Sequence, residues 1–217
     1  MNRVVLLSAG LDSAVNLAVA GTRQGGVKLA LTFDYGHRAA RREAACARAL
    51  ARHYGVPWKL LKLPWLGELT GTALVARGKR IPRLKDLDDR KDALASAAAV
   101  WVPNRNGVFL NIAAAFAESM GCREVVIGLN REEGATFPDN TAAFGGAATR
   151  AFHYSTRNRV RAVSYTARMD KRQIIHLARR LKLPLDKVWP CYEGERRPCG
   201  ACESCARFRR ALESPAP

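Results

Sequence analysis

Apolar residues run without polar alternation from Val4 to Leu7, break at Ser8-Ala9-Gly10-Leu11-Asp12-Ser13, and return at helical spacing in Ala14, Val15, Leu17, Ala18 and Val19. An unbroken apolar run reads as a strand buried on both faces, and the change of period marks a tight turn into a helix. The same rhythm continues. Val27 to Phe33 predicts a second strand, and residues 39 to 54 a helix with Ala40, Ala44, Ala47 and Leu50 or Ala51 on one face and arginines on the others. Gly55-Val56-Pro57 stops it, and Trp58 to Leu63 predicts a third strand. Residues 64–103 are least regular: Gly67, Gly71, Gly78 and Pro82 interrupt them, and the charge run Lys85 to Asp92 reads as a solvated loop or a flap over the site. Asn104-Arg105-Asn106-Gly107 is expected to cap a helix from Val108 to Met120, and Glu124 to Leu129 is a fourth strand. Small residues fill 140–150, Arg157 to Arg161 form a basic run, and Asp170-Lys171-Arg172-Gln173 opens a helix with Ile174, Ile175, Leu177, Ala178 and Leu181 inward. Strands alternating with helices every ~30 residues predict an α/β fold, a mostly parallel sheet with helices on both faces.

At 217 residues and 48% hydrophobic, the chain can bury one good core with a small appendage. The division expected is a 1–188 α/β domain and a 189–217 module packed on it. No apolar run approaches the ~18–20 residues that span a membrane, so a soluble, cytoplasmic protein is expected. The formal net charge of +17 favours polyanionic partners: ATP, an acidic substrate, RNA or an acidic protein face. An arginine-rich composition that only keeps the chain soluble would give the same number.

Chemistry gathers at strand ends. The loop Ser8 to Ser13 points backbone N–H groups and two hydroxyls at one spot beside a helix N-terminus, an anion site, although an ordinary turn with a Ser cap reads alike. It lacks the Lys of a Walker loop and the glycine spacing of a dinucleotide fingerprint. Asp34-Tyr35-Gly36-His37-Arg38 follows the second strand, where open α/β sheets place ligands; Asp34 suits a ribose or adenine group and Arg38 a phosphate or carboxylate. Val102 to Asn106 sets amides and one guanidinium at a helix start. Cys191, Cys199, Cys202 and Cys205 supply four soft thiolates on two short arcs, a closed set that suits structural Zn²⁺, with an iron–sulfur cluster or redox thiols as rivals. Cys46 and Cys122 read as core fillers.

The loop Ser8-Ala9-Gly10-Leu11-Asp12-Ser13 resembles the SGGxDS loop of the PP-loop ATP pyrophosphatases, with Ala9 in place of the first glycine. That alanine costs little at negative φ and more at positive φ. Taken in order with Phe33-Asp34-Tyr35-Gly36, Val102 to Asn106, Gly128 to Asn130, Phe137-Pro138-Asp139 and the terminal cysteines, the chain resembles the 7-cyano-7-deazaguanine synthase family over nearly its full length. The resemblance implies a Rossmann-like, adenine nucleotide alpha hydrolase-like fold and a four-cysteine zinc module. It implies ATP, Mg²⁺ and Zn²⁺ as cofactors, and 7-carboxy-7-deazaguanine and ammonia as substrates. The carboxylate is adenylated and amidated, and a second adenylation turns the amide into a nitrile. It further implies that Leu7, Ser8, Ala9, Gly10, Leu11, Asp12 and Ser13, with Phe33 and Asp34, hold the nucleotide, that Ser8, Asp12, Ser13, Arg105 and Lys171 carry catalysis, and that Arg38, Asn130, Glu133, Phe137 and Asp139 meet the deazaguanine. A homodimer is expected and direct nucleic-acid contact is not.

Departures from the family pattern cluster at that site. His37-Arg38-Ala39 stands for QRH, Phe137-Pro138-Asp139-Asn140-Thr141 for YPDCR, and Pro190 for a Ser or Thr. A divergent paralogue that joins the activated deazaguanine to an amine of a partner protein, as in relatives from anti-phage operons, would look the same. Further alternatives are a PP-loop enzyme that modifies tRNA and a binding module with a silent loop.

Overall fold

The computed structural model describes residues 1–83 and 86–215. Five strands, β1 (Arg3–Leu6), β2 (Val27–Asp34), β3 (Trp58–Lys62), β4 (Glu124–Val126) and β5 (Arg161–Val163), form one sheet in the order β3-β2-β1-β4-β5, and every pairing is parallel. The apolar runs are unbroken because both faces are covered. Val5 and Leu7 point to one side, against α1 (Leu11–Thr22), α2 (Ala40–His53) and α8 (Lys171–Arg180); Val4 and Leu6 point to the other, against α5 (Arg105–Ser119) and α7 (Ala142–Ser155). The expected α/β architecture with helices on both faces is what the chain builds. The strand order reverses beside β1, so the carboxyl ends of β1 and β4 open a crevice where doubly wound sheets bind ligands.

Several expectations change in detail. The fourth strand ends at Val126 rather than Leu129, although the Ile127 amide still donates to the Val163 carbonyl at 2.9 Å. The basic run at 157–161 leads directly into the edge strand β5, where an outward Arg161 is compatible with pairing on one side only. Asn104 does not cap α5 with its side chain; it sits in the left-handed region at φ 50°, and the helix starts at Arg105. In the irregular stretch, α3 (Pro64–Glu68) and α4 (Arg90–Val100) appear, and the Asp89 carboxylate caps α4 by accepting from the Asp92 amide at 2.9 Å. Lys85 lies outside the described residues. Residues 86–89 of the charge run form a largely exposed loop, as the charge pattern reads, tied at two points: Asp88 pairs with Arg210 at 2.8 Å, and the Leu87 carbonyl accepts from Arg207.

The C-terminal segment shares the main core. Trp189, Cys191, Cys202, Cys205 and Ala211, the last two on α9 (Glu203–Leu212), belong to the same apolar cluster as Val5, Leu17 and Ile174. No helix among the described residues is long and apolar enough to cross a membrane.

Gly128 decides how closely β4 and the loop after β1 approach. A Cβ there would stand 2.6 Å from the Ser13 nitrogen and 2.9 Å from the Asp12 carbonyl carbon, both backbone atoms that a side-chain rotation cannot clear. Gly128→Ala is therefore expected to lower stability by about 1–3 kcal/mol, the usual cost of overpacking. Urea denaturation measures it, and an unchanged midpoint would contradict the packing described.

Candidate active site

The loop after β1 is a knot of short hydrogen bonds. The Ser13 hydroxyl donates to the Gly10 carbonyl at 3.0 Å and accepts from the Ser8 amide at 3.2 Å, while the Gly10 amide donates to the Ser8 hydroxyl at 3.3 Å. The loop is fixed before any ligand arrives, and the first N–H groups of α1, which have no helical acceptor, open on the cavity lined by Gly10, Leu11, Asp12 and Ser13. Ala9 sits at φ 63°, the left-handed region, with its methyl fully buried. This is the costly arm of the expectation: a non-glycine residue pays about 1–2 kcal/mol there. The Trp189 amide donates to the Ala9 carbonyl at 2.9 Å and pins the turn from the C-terminal segment.

At the mouth of the loop lies an ion triad, with Asp12 and Lys171 buried and Glu133 half-buried. Lys171 Nζ reaches Asp12 Oδ2 at 2.6 Å and Glu133 Oε1 at 2.7 Å. Asn130 donates through Nδ2 to Asp12 Oδ2 at 3.0 Å and accepts the Glu133 amide at 2.9 Å, so it holds both acids in place. Burial pushes the Asp12 carboxyl up, against the pull of Lys171. Burial also works against the Glu133 charge, yet the Lys171 ammonium and hydrogen bonds from Lys171 and Asn130 bring it below the usual carboxylate range. For Lys171 burial disfavours the cation, and the two carboxylates outweigh it and raise its pKa. Asp12 Oδ1 is enclosed and has no protein partner among the described residues. An oxygen of that kind, beside an anion-binding helix start, fits a cation carried in with a polyphosphate.

A second cation stands across the cavity. Arg105 is half-buried, and among the described residues its side chain donates from Nη1 to the Tyr35 hydroxyl at 3.3 Å, which leaves most of its donors for a ligand. Burial disfavours its charge, but the Tyr35 hydroxyl and the carboxylates of Asp139 and Glu43 outweigh this and raise its pKa. Phe33 stacks on Phe109 at 4.2 Å, and with Leu6, Leu31 and Ile127 lines an apolar slot.

The sequence-predicted residues Leu7, Ser8, Gly10, Leu11, Asp12, Ser13, Phe33, Arg105, Glu133, Phe137 and Lys171 all line one cavity. Ala9, Asp34, Asn130 and Asp139 support it from behind. The Asp34 carboxylate accepts the Gly36 amide at 2.9 Å, and the Asp139 carbonyl accepts from Asn106. Arg38 is drawn elsewhere, to Glu193 at 3.2 Å and to the carbonyls of Ala76, Arg77 and Lys79. Sequence reasoning missed Glu43, Asn140, Tyr192 and Phe208, which also line the cavity. No spacing marks a lone acid among arginines, and the two aromatic residues flank the cysteines without a pattern of their own.

The four cysteines meet. Their sulfur atoms lie within 4.8 Å of one another, and a tetrahedral zinc with bonds of ~2.3 Å needs sulfurs roughly 3.8 Å apart. Amides of Glu193 and Cys199 donate to Cys191 Sγ, and that of Cys202 to Cys199 Sγ, each at 3.3 Å. Hydrogen bonds from Cys202 and Cys205 pull the Cys191 thiol down, while their own thiols are pushed up. A shared cation relieves such crowding. From this arm a polar chain runs inward: Arg207 bonds Glu203 at 2.9 Å and Glu132 at 3.1 Å, and Glu132 Oε1 accepts the Lys171 amide at 2.8 Å. Asp170 and Gln173 complete a capping box on α8, so the first turn that carries Lys171 is held from both sides.

The chain is similar to known proteins over almost its whole length. The model of the family described as queuosine biosynthesis protein QueC matches residues 2–215. A 7-cyano-7-deazaguanine synthase of Desulforamulus reducens is 55% identical over 99% of this chain and 94% of its own length. Those of Pelotomaculum thermopropionicum and Methanosarcina mazei are 51% and 45% identical, each over 99% of this chain and over 97% and 94% of their own. Among solved structures, NMN synthetase from Francisella tularensis shares the fold, at 15% identity and a TM-score of 0.50, over 99% of this chain and 78% of that one.

Removing Lys171 leaves the buried Asp12 and the half-buried Glu133 without their cation. Lys171→Met should cost about 3–5 kcal/mol near pH 7. The sign follows from linkage: without the ammonium both folded-state carboxyl pKa values rise above their unfolded values, so the penalty is full above that range and shrinks as pH falls through it. Thermal melts at pH 7.5 and 5 check this, and a gap to wild type that widens toward acid would contradict it.

Proposed function

The chain belongs to the QueC family of queuosine biosynthesis proteins, and from that we propose that it makes 7-cyano-7-deazaguanine from 7-carboxy-7-deazaguanine, ammonia and ATP. The observation that carries the reading is the joining, in one cavity, of an anion-binding helix start, the Lys171 triad and the open guanidinium of Arg105. A carboxylate oxygen of the substrate attacks the α-phosphorus of ATP and pyrophosphate departs. Ammonia then adds to the acyl carbon and AMP leaves with the oxygen, giving the amide. The amide oxygen is adenylated by a second ATP, and loss of AMP and protons leaves the nitrile.

No side chain need be a nucleophile, because every attacking atom belongs to a substrate. The work of the protein is alignment and charge. Ser8, Ser13 and the N–H groups of Gly10 to Ser13 hold the pyrophosphate end, with Lys171 beside it. Asp12 Oδ1 is the atom offered to Mg²⁺, which when bound would neutralise the polyphosphate. The apolar slot between Phe33 and Ile127, walled by Leu6 and Leu31, suits adenine. Arg105 screens the substrate carboxylate as it approaches the α-phosphate and the charge that develops there. The four cysteines would hold Zn²⁺ as a structural ion, since four protein sulfurs leave no position for a substrate. The identity to synthases across nearly their whole length favours ammonia over a protein amine as the acceptor.

Purified protein given ATP, Mg²⁺, 7-carboxy-7-deazaguanine and ammonium should yield the nitrile, AMP and pyrophosphate, followed by mass spectrometry. A product that stops at the adenylate would overturn ammonia as the acceptor, and one that stops at the amide would overturn the second adenylation. Arg105→Ala should lower kcat by about 10²–10³, the scale of losing one preorganised charge-stabilising group. A variant that keeps wild-type kcat would remove Arg105 from the chemistry.

A further inference from the structure

Among the described residues three carboxylates line the cavity: Asp12, Glu43 and Glu133. Two are committed. Lys171 bridges Asp12 and Glu133, Asn130 donates to Asp12, and Asn140 donates to Glu133 Oε2 at 3.4 Å. Glu43 is different. Its Oε2 faces His37 Nε2 at 3.1 Å, and its Oε1 has no hydrogen-bond partner among the described residues.

Glu43 is also held in advance. It sits in the first turn of α2, and the His37 ring that meets it is buried and stacked on Tyr35 at 4.2 Å and 18°. His37 Nδ1 has no partner among the described residues, which assigns its useful contact to the Nε2 that faces Glu43. Tyr35 in turn is bonded to Arg105. The carboxylate therefore presents a fixed, negatively charged acceptor to the cavity, beside the cation assigned to the reacting end of the substrate. The wall there is aromatic and apolar, with Tyr35, Phe109, Leu74 and Val100. A charged group on an apolar wall is matched by a flat ligand with donors on its edge.

A deazaguanine is such a ligand. Its six-membered ring presents N1–H and an exocyclic 2-amino group side by side, two donors that one carboxylate accepts together. We propose that Glu43, oriented by His37, reads the N1–H and 2-amino edge of the heterocycle and sets the specificity of the site for a guanine-type ring. The assignment rests on the substrate class proposed above. It moves base recognition away from Asn130 and Glu133, whose polar groups serve Lys171 and Asp12.

The test compares 7-carboxy-7-deazaguanine with 7-carboxy-7-deazahypoxanthine, which lacks only the 2-amino group. Wild-type protein should bind the second about 10–100-fold more weakly by calorimetry, the scale of one charge-assisted hydrogen bond. Glu43→Gln should raise KM for the acid by about 10–100-fold, leave KM for ATP within about twofold, and largely erase the preference between the two compounds. Equal binding of both compounds by wild type overturns the proposal without any variant. So does a Glu43→Gln enzyme that keeps the wild-type preference, or one whose defect is confined to ATP. A wild-type protein that releases no AMP with the acid refutes the substrate class itself; a working wild type with an indifferent Glu43→Gln refutes only the role of Glu43.

Discussion

The ammonium of Lys171, buried between Asp12 and Glu133, is the interaction on which the site is built. Its three members come from different places in the chain: the loop after β1, the short helix α6 (Arg131–Gly134) after β4, and the start of α8. They meet because β1 and β4 are neighbours in the sheet and Gly128 lets their carboxyl ends close together. A buried cation shared by two acids is not a strong source of stability, but losing any member strands charge in a low-dielectric place. The fold thus commits the loop, β4 and α8 to one relative position, the position that an anion at the helix start requires.

The cysteine arm extends this commitment. It contributes apolar side chains to the main core and, through Trp189, fixes the carbonyl of the strained Ala9. Through Arg207 and Glu132 it reaches the backbone amide of Lys171 itself. A metal held by the four sulfurs at this place would stiffen the wall of the cavity without entering the reaction. That links two distant parts of the sequence, Ala9 near its start and Trp189 near its end, in a single function.

Much of this was legible because the physics is local. Buried parallel strands need long apolar runs, so β1 and β2 stand out, and the Ser8 to Ser13 turn and the four cysteines carry their spacing openly. Asp170 and Gln173 announced the helix that presents Lys171. What stayed hidden is set by distant partners. β5 has three residues, the first an arginine, and only its pairing with β4 makes it a strand. The acidic run before Arg90 faces solvent as its composition reads, but nothing in the sequence shows that Arg207 and Arg210, far along the chain, tie it down. Arg38 has the right chemistry for a ligand but is claimed by Glu193 and a ring of carbonyls. Glu43 looks like one surface acid among arginines, and only the placement of His37 and Tyr35 aims it inward.

The most direct measurement is a crystal structure of the zinc-loaded protein with Mg²⁺ and a non-hydrolysable ATP analogue. The account expects the β- and γ-phosphates against the N–H groups of Gly10 to Ser13, Lys171 beside them, adenine between Phe33 and Ile127, and Asp12 Oδ1 turned to the metal. A nucleotide bound anywhere outside this cavity, or a triphosphate that leaves the loop empty, would contradict it.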